Sequence, residues 1–170
     1  MDLPKPGEYA QYYTIYLKQI PDDDNIIKVL EEGRNKIQSL ISSISEEKSA
    51  YSYAPGKWSI KEVLGHLADL ERIMTYRSLC IARGEKKSLP GFEQDDYVKV
   101  ADFNKRSLVS FAEELLHVRN SSISLFNSYD GETLMRWGVV NNHDTTARAF
   151  IFIIAGHEIH HMRILRERYL

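Results

Sequence analysis

Three of the six histidines fall within five residues of one another, in Gly156-His157-Glu158-Ile159-His160-His161. Residues four apart on a helix differ by about 40° in direction and about 6 Å in height, so His157 and His161 can aim their rings at one point. Ile153, Ile154, Ile164 and Leu165 share that face, which places the point on the core side. Two imidazoles in an apolar stripe need hydrogen-bond partners or an ion, because an unpaired buried polar group costs about 1 to 3 kcal/mol. A divalent metal satisfies both. His66 stands in register with Val63, Leu70 and Ile73 on another helical segment and can deliver a third imidazole. Three protein ligands with a position left open make a catalytic rather than a structural metal site. The bland alternative is a set of hydrogen-bonded core histidines. His160 sits toward the flank of the stripe, in a supporting position, while His117 and His143 have no companions at useful spacing and read as solvated.

The same segment spells H-E-x-x-H, with Glu158 where a zinc protease keeps its general base. Such proteases take their third ligand from downstream. Only nine residues follow His161, none of them histidine, and Glu167 is too near on the same helix. No strand offers itself to an extended peptide either. Glu158 therefore remains a weak catalytic candidate. Glu62, one turn before His66, could orient a ring nitrogen, but a role in capping its own helix is favoured; Asp69 and Glu158 are the lesser alternatives. Cys80 reads as a small packed side chain, with no histidine near it in sequence.

These residues need a scaffold, and the chain supplies one domain's worth. Its 170 residues are 43% hydrophobic and 27% charged, enough for a single core without staples. A lone cysteine excludes disulfide scaffolds and cysteine-based zinc sites and suits a reducing cytoplasm. The net charge of −2 is spread without a basic block, which argues against nucleic acid as a partner. Met1 to Pro6 carries no apolar signal core, and the longest apolar run, Ala149 to Ala155, is far too short to cross a bilayer. The expectation is a cytoplasmic protein with no membrane partner.

Four segments carry a helical period. The first starts after Asp22-Asp23-Asp24 and runs to about Ile44. The second runs from Ser59 to about Arg83, with Ser59-Ile60-Lys61-Glu62 as a capping box and Trp58 and Val63 as a hydrophobic staple. The third covers Ser107 to Asn127; the fourth starts near Thr145-Thr146 and continues almost to Leu170. With no period-two alternation outside them, the expected fold is an all-α four-helix bundle occupying residues 1–170 as one domain. The stretch Gly84 to Arg106 is long enough to cross the length of a helix of about 25 residues, about 37 Å, and so to bring the third helix back parallel to the second. Residues 1–21, with Tyr9, Tyr12, Tyr13 and Tyr16, read as an arm packed over the bundle or as part of a dimer interface.

Three motifs in this order and spacing resemble the DinB/YfiT-like metalloenzyme superfamily over nearly the whole chain. They are Trp58-Ser59-Ile60-Lys61-Glu62-Val63-Leu64-Gly65-His66-Leu67-Ala68-Asp69-Leu70-Glu71, the middle piece Leu89-Pro90-Gly91-Phe92-Glu93-Gln94-Asp95, and Ile154 to His161 followed by Leu165-Arg166-Glu167-Arg168-Tyr169-Leu170. The resemblance implies an up-down-down-up bundle, usually a homodimer. It also implies a three-histidine site for a divalent ion, commonly nickel or zinc, whose positions fall on His66, His157 and His161. As activity it implies transfer or isomerisation dependent on a low-molecular-weight thiol such as bacillithiol, mycothiol or glutathione, activated on the metal against a small electrophile. Metal-dependent hydrolysis on the same ligands, and a non-catalytic metal-binding bundle, stand as the alternatives.

Overall fold

The computed structural model describes residues 1–21 and 25–170. Four helices build the bundle: α1 (Ile26–Ser42), α2 (Ile60–Ala82), α3 (Leu108–Asn127) and α4 (Ala147–Ile164), the last continued by a π-helical turn, Leu165–Tyr169. The order is up-down-down-up, with the long crossover between α2 and α3, as expected.

Local chemistry accounts for the ends of these helices. The acidic cluster Asp22-Asp23-Asp24 lies outside the described residues. The first described cap of α1 is Asn25, whose side chain accepts from the Ile27 N–H at 3.0 Å. At α2 the Ser59 hydroxyl accepts from the Glu62 N–H at 3.2 Å, and the Glu62 carboxylate accepts from the Ser59 N–H at 2.6 Å. That reciprocal pair is a capping box, so Glu62 is committed to the helix end rather than to His66.

Two expectations need correction. The stretch before α4 is not free of strand: β1 (Trp137–Val140) and β2 (His143–Thr146) form an antiparallel hairpin. Its turn, Asn141-Asn142, has positive φ at both residues, a conformation that asparagine tolerates because its short polar side chain bonds locally. Strands of four residues are too short to display alternation in sequence. As a result Thr145 and Thr146 belong to β2, and α4 begins at Ala147.

The crossover is ordered by the same hairpin. The Leu89 N–H donates to the Val139 carbonyl and the Asn141 N–H to the Leu89 carbonyl, both at 2.9 Å, which clips the start of the crossover onto β1. A helix at Gln94–Ala101 and a 3-10 turn at Phe103–Lys105 fill the remainder. No helix among the described residues is long and apolar enough to cross a membrane.

The apolar interior falls into two clusters along the bundle axis. One holds Ile26, Leu30, Leu70, Met74, Phe126, Phe150 and Ile154; the other holds Ile37, Ile60, Leu64, Phe111, Leu115 and Leu165. Between them three of the helices contribute buried polar side chains: His66 and Glu71 on α2, Arg119 on α3, His157 and Glu158 on α4. The core is thus interrupted at mid-height by one polar layer.

The amino-terminal arm packs over this layer. Short helical turns at Gln11–Tyr13 and Thr14–Leu17 bury Tyr13 and Leu17 against the first cluster. Apolar burial of such side chains is worth about 1.5 to 3 kcal/mol each and supplies the affinity. Register comes from Glu8, whose carboxylate accepts from Arg148 Nη2 at 2.6 Å, Arg148 Nε at 2.8 Å and the Thr146 hydroxyl at 3.0 Å. The Arg148 hydrogen bonds hold the Glu8 carboxyl down at about 2, against 4.5 ordinarily. A depressed carboxyl pKa gives stability that is complete above about pH 5 and lost as the pH falls through the folded value. The thermal midpoint of the native chain should therefore exceed that of a Glu8→Gln variant by a margin constant near neutrality. Between about pH 4.5 and about pH 2 the margin should shrink.

Candidate metal centre

Helix α2 presents His66 and α4 presents His157 and His161 to one another across the bundle. Nitrogen atoms of all three lie within 4.8 Å of one another. His66 Nε2 and His157 Nε2 are 3.0 Å apart, and the ring centroids of His157 and His161 are separated by 4.3 Å. His66 and His157 are buried; His161 is partly so. Burial pushes the imidazoles toward the neutral form, His66 to about 4 and His161 to about 3, and His157 well below its ordinary value. At neutral pH each ring therefore keeps a lone pair to offer.

These residues fit a divalent cation. A single N–H···N bond satisfies one pair of facing nitrogens, whereas an ion takes all three lone pairs at once. Zinc–imidazole distances of about 2.0 to 2.1 Å put tetrahedral ligand nitrogens about 3.3 Å apart, close to the spacing already present between His66 and His157. Histidine nitrogen suits zinc and nickel equally.

Aromatic rings close the surroundings. The Trp58 ring packs on His66 at 4.7 Å between centroids, and Tyr16 of the arm packs edge-on against His157 at 5.0 Å and His160 at 5.3 Å. Tyr16 comes this close because position 156 is glycine: a Cβ there would collide with the Tyr16 carbonyl. His160 stays on the flank, half-buried, its Nδ1 without a partner among the described residues.

Glu158 does not join the imidazoles. Arg119 Nη2 donates to its carboxylate at 2.8 Å and Nη1 at 3.3 Å, and the same guanidinium holds Glu71 through Nε at 2.8 Å and Nη2 at 2.9 Å. Its carboxylate is committed to a structural ion pair, which corrects its candidacy as general base. Burial raises its pKa, opposed by Arg119. Asp69 pairs with Arg72 at 3.7 Å and Cys80 is a half-buried free thiol. His117 and His143 are exposed, as expected. Spacing gave no notice of Tyr16, which reaches His157 through a contact distant in sequence, whereas Trp58 packs on His66 from just before the start of α2.

Comparison with known proteins bears on the family and the fold. The model of the DinB superfamily matches residues 29–165. A protein of Oceanobacillus iheyensis named "Putative metal-dependent hydrolase" is 26% identical over 85 residues, 50% of this chain and 49% of that one. The chain thus spans about half the length of the curated relative it matches. The fold is similar to that of YfiT from Bacillus subtilis, described as a probable metal-dependent hydrolase with an unusual four-helix bundle topology. The TM-score is 0.76 at 16% identity, over 87% of this chain and 90% of that one.

Gly156→Ala should separate the arm from the centre. In a helix interior alanine is favoured over glycine by about 1 kcal/mol, so α4 itself should not suffer. The arm should nevertheless detach, read as faster hydrogen exchange at residues 11–17, while the three imidazoles keep their metal affinity because none of them comes from the arm.

Proposed function

This chain belongs to the DinB superfamily, and from that premise we propose that it is a metal-dependent enzyme that transfers a low-molecular-weight thiol to a small electrophile. The observation that supports this reading is the convergence of three neutral, largely buried imidazole nitrogens from two helices. A divalent ion, nickel or zinc, would supply the Lewis acidity that lowers the pKa of a thiol. The protein's own residues do the rest. His66, His157 and His161 carry no charge of their own, so a dipositive ion among them calls for an anionic further ligand, and a thiolate meets that demand. Trp58 and Tyr16 keep bulk water from the rings, which strengthens the attraction between opposite charges there. Arg119, by holding Glu158, keeps the one carboxylate of α4 away from the ion.

A second reading, metal-dependent hydrolysis, is favoured by the names of the two relatives and uses the same ligands. Thiol dependence separates the two. The first experiment is elemental analysis of protein prepared without a polyhistidine tag, native against a His157→Ala, His161→Ala double variant. The expected result is about one nickel or zinc ion per chain, lost in the variant. Turnover of electrophiles by the loaded protein should then require added thiol; turnover of esters or amides without thiol would establish the hydrolytic reading instead.

A further inference from the structure

Among the described residues three arginines are buried, Arg77, Arg119 and Arg148. Arg119 spends its donors on Glu71, Glu158 and the Leu30 carbonyl, and Arg148 spends its own on Glu8 and the Asp2 carbonyl. Arg77 differs. It is only 4% exposed, yet its hydrogen bonds run to the Pro90 carbonyl, at 2.7 Å from Nη2, and to the Met74 sulfur, at 3.6 Å from Nη1. No carboxylate pairs with it among the described residues. A guanidinium has five N–H donors and stays charged at any accessible pH; here the donors meet a carbonyl, a sulfur and the Tyr13 hydroxyl, all uncharged, so the buried charge itself has no anion.

The side chain lines a cavity of about 410 Å³ between the arm, the crossover and α2. That volume falls in the range of small-molecule sites. Phe92 stands over the guanidinium, 5.4 Å from ring centroid to Cζ. Tyr16 is part of the cavity wall and also packs on His157, so a single ring stands between the cavity and that imidazole. Leu70 and Met74, on the same wall, follow His66 by one and two turns of α2, and Arg77 comes one turn later. Helical side chains lean toward the amino terminus, which turns the guanidinium back toward the histidines. Glu93 and Asp95 line the same cavity from exposed positions, so its outer part disfavours a second negative charge.

We infer that Arg77 is the anchor for a carboxylate on the small-molecule substrate, held in this cavity with its reacting end toward the three histidines. The inference rests on the enzymatic reading above for its direction, though not for the binding itself. The occupant carries one carboxylate inward and a neutral or cationic group outward, the pattern of an amino-acid-derived molecule. A planar fork suits a carboxylate through two parallel N–H···O bonds, and a lysine in its place offers only a point charge.

Two probes isolate that carboxylate. N-acetylcysteine and N-acetylcysteamine share the thiol and the acetamide and differ by the carboxylate alone. Their dissociation constants are to be measured by calorimetry on the full chain, metal-loaded and metal-free, with metal content determined on the same samples. The native protein should bind N-acetylcysteine about 10-fold to 100-fold more tightly, the range of a charge-assisted pair. Arg77→Gln should reduce that preference to about twofold or less and leave N-acetylcysteamine binding unchanged; Arg77→Lys should keep part of it. Equal binding of the two probes by the native protein, or none, overturns the inference without recourse to any variant. A preference that survives in a folded Arg77→Gln chain, judged by circular dichroism, overturns it too. A preference present in protein that takes up no metal would sustain the Arg77 site while removing the metal-dependent reading, so the two ideas fail separately.

Discussion

One guanidinium ties the four helices together. Arg119 of α3 reaches Glu71 of α2, Glu158 of α4 and the Leu30 carbonyl of α1, and its five contacts use all five of its N–H donors. Such a group tolerates no slippage. Removing one partner from a buried ion pair costs about 3 to 5 kcal/mol because the other charge is stranded, so the rotation and height of each helix are held to the setting that satisfies Arg119. Gly33 shows how tightly: a Cβ there would collide with the Glu158 carboxylate. Hydrophobic burial in the two flanking clusters holds the bundle together, but apolar contacts alone permit many near-equivalent registers. The polar layer selects one.

The metal centre depends on that selection. Glu158 and His157 are consecutive, about 100° apart around α4 at 3.6 residues per turn, so turning Glu158 to Arg119 turns His157 toward α2. On α2 the same logic applies across five residues from His66 to Glu71. The charged side of the layer is thereby kept apart from the neutral side, and the imidazoles remain neutral because burial, rather than a carboxylate, dominates their surroundings. A carboxylate turned toward these rings would favour the imidazolium form and compete with an ion for the same lone pairs. Separation of the two sets is a condition for the site.

Much of this is legible in the sequence, and the illegible part has a common cause. His157 and His161 are readable because four-residue spacing is a property of one helix, and His66 because its apolar neighbours set its face. Ser59 and Glu62 declare the start of α2 for the same local reason. Arg119 escapes a reading by periodicity, although it follows Leu115 by four and precedes Ser122 by three on the buried face of α3. A charge in an apolar row signals a buried partner, but the identity of that partner is a fact of tertiary structure. The contact of Tyr16 with His157 belongs to the same class: it depends on a backbone approach at Gly156 between segments far apart in the chain. The hairpin at Asn141-Asn142 was hidden for a different reason, because strands of four residues show no period and the turn residues were the sole signal.

The buried polar groups of this protein divide into saturated and unsaturated sets, and the division separates structure from chemistry. Arg119 and Arg148 each meet carboxylates that use their donors, and groups so satisfied have nothing left to offer a ligand. The three imidazoles and Arg77 are also buried but hold capacity in reserve: nitrogen lone pairs in one case, guanidinium donors in the other. Folding alone gives no reason to retain such groups, since apolar residues of similar volume would fill the same space at lower desolvation cost. Their cost is offset only when something enters to complete them. His66 and Arg77 lie along one face of α2, and the two sets approach each other at Tyr16, which touches His157 and lines the Arg77 cavity. A cation for the first and an anion for the second are complementary demands, and a metal-dependent enzyme whose substrate carries a carboxylate meets both with one bound assembly.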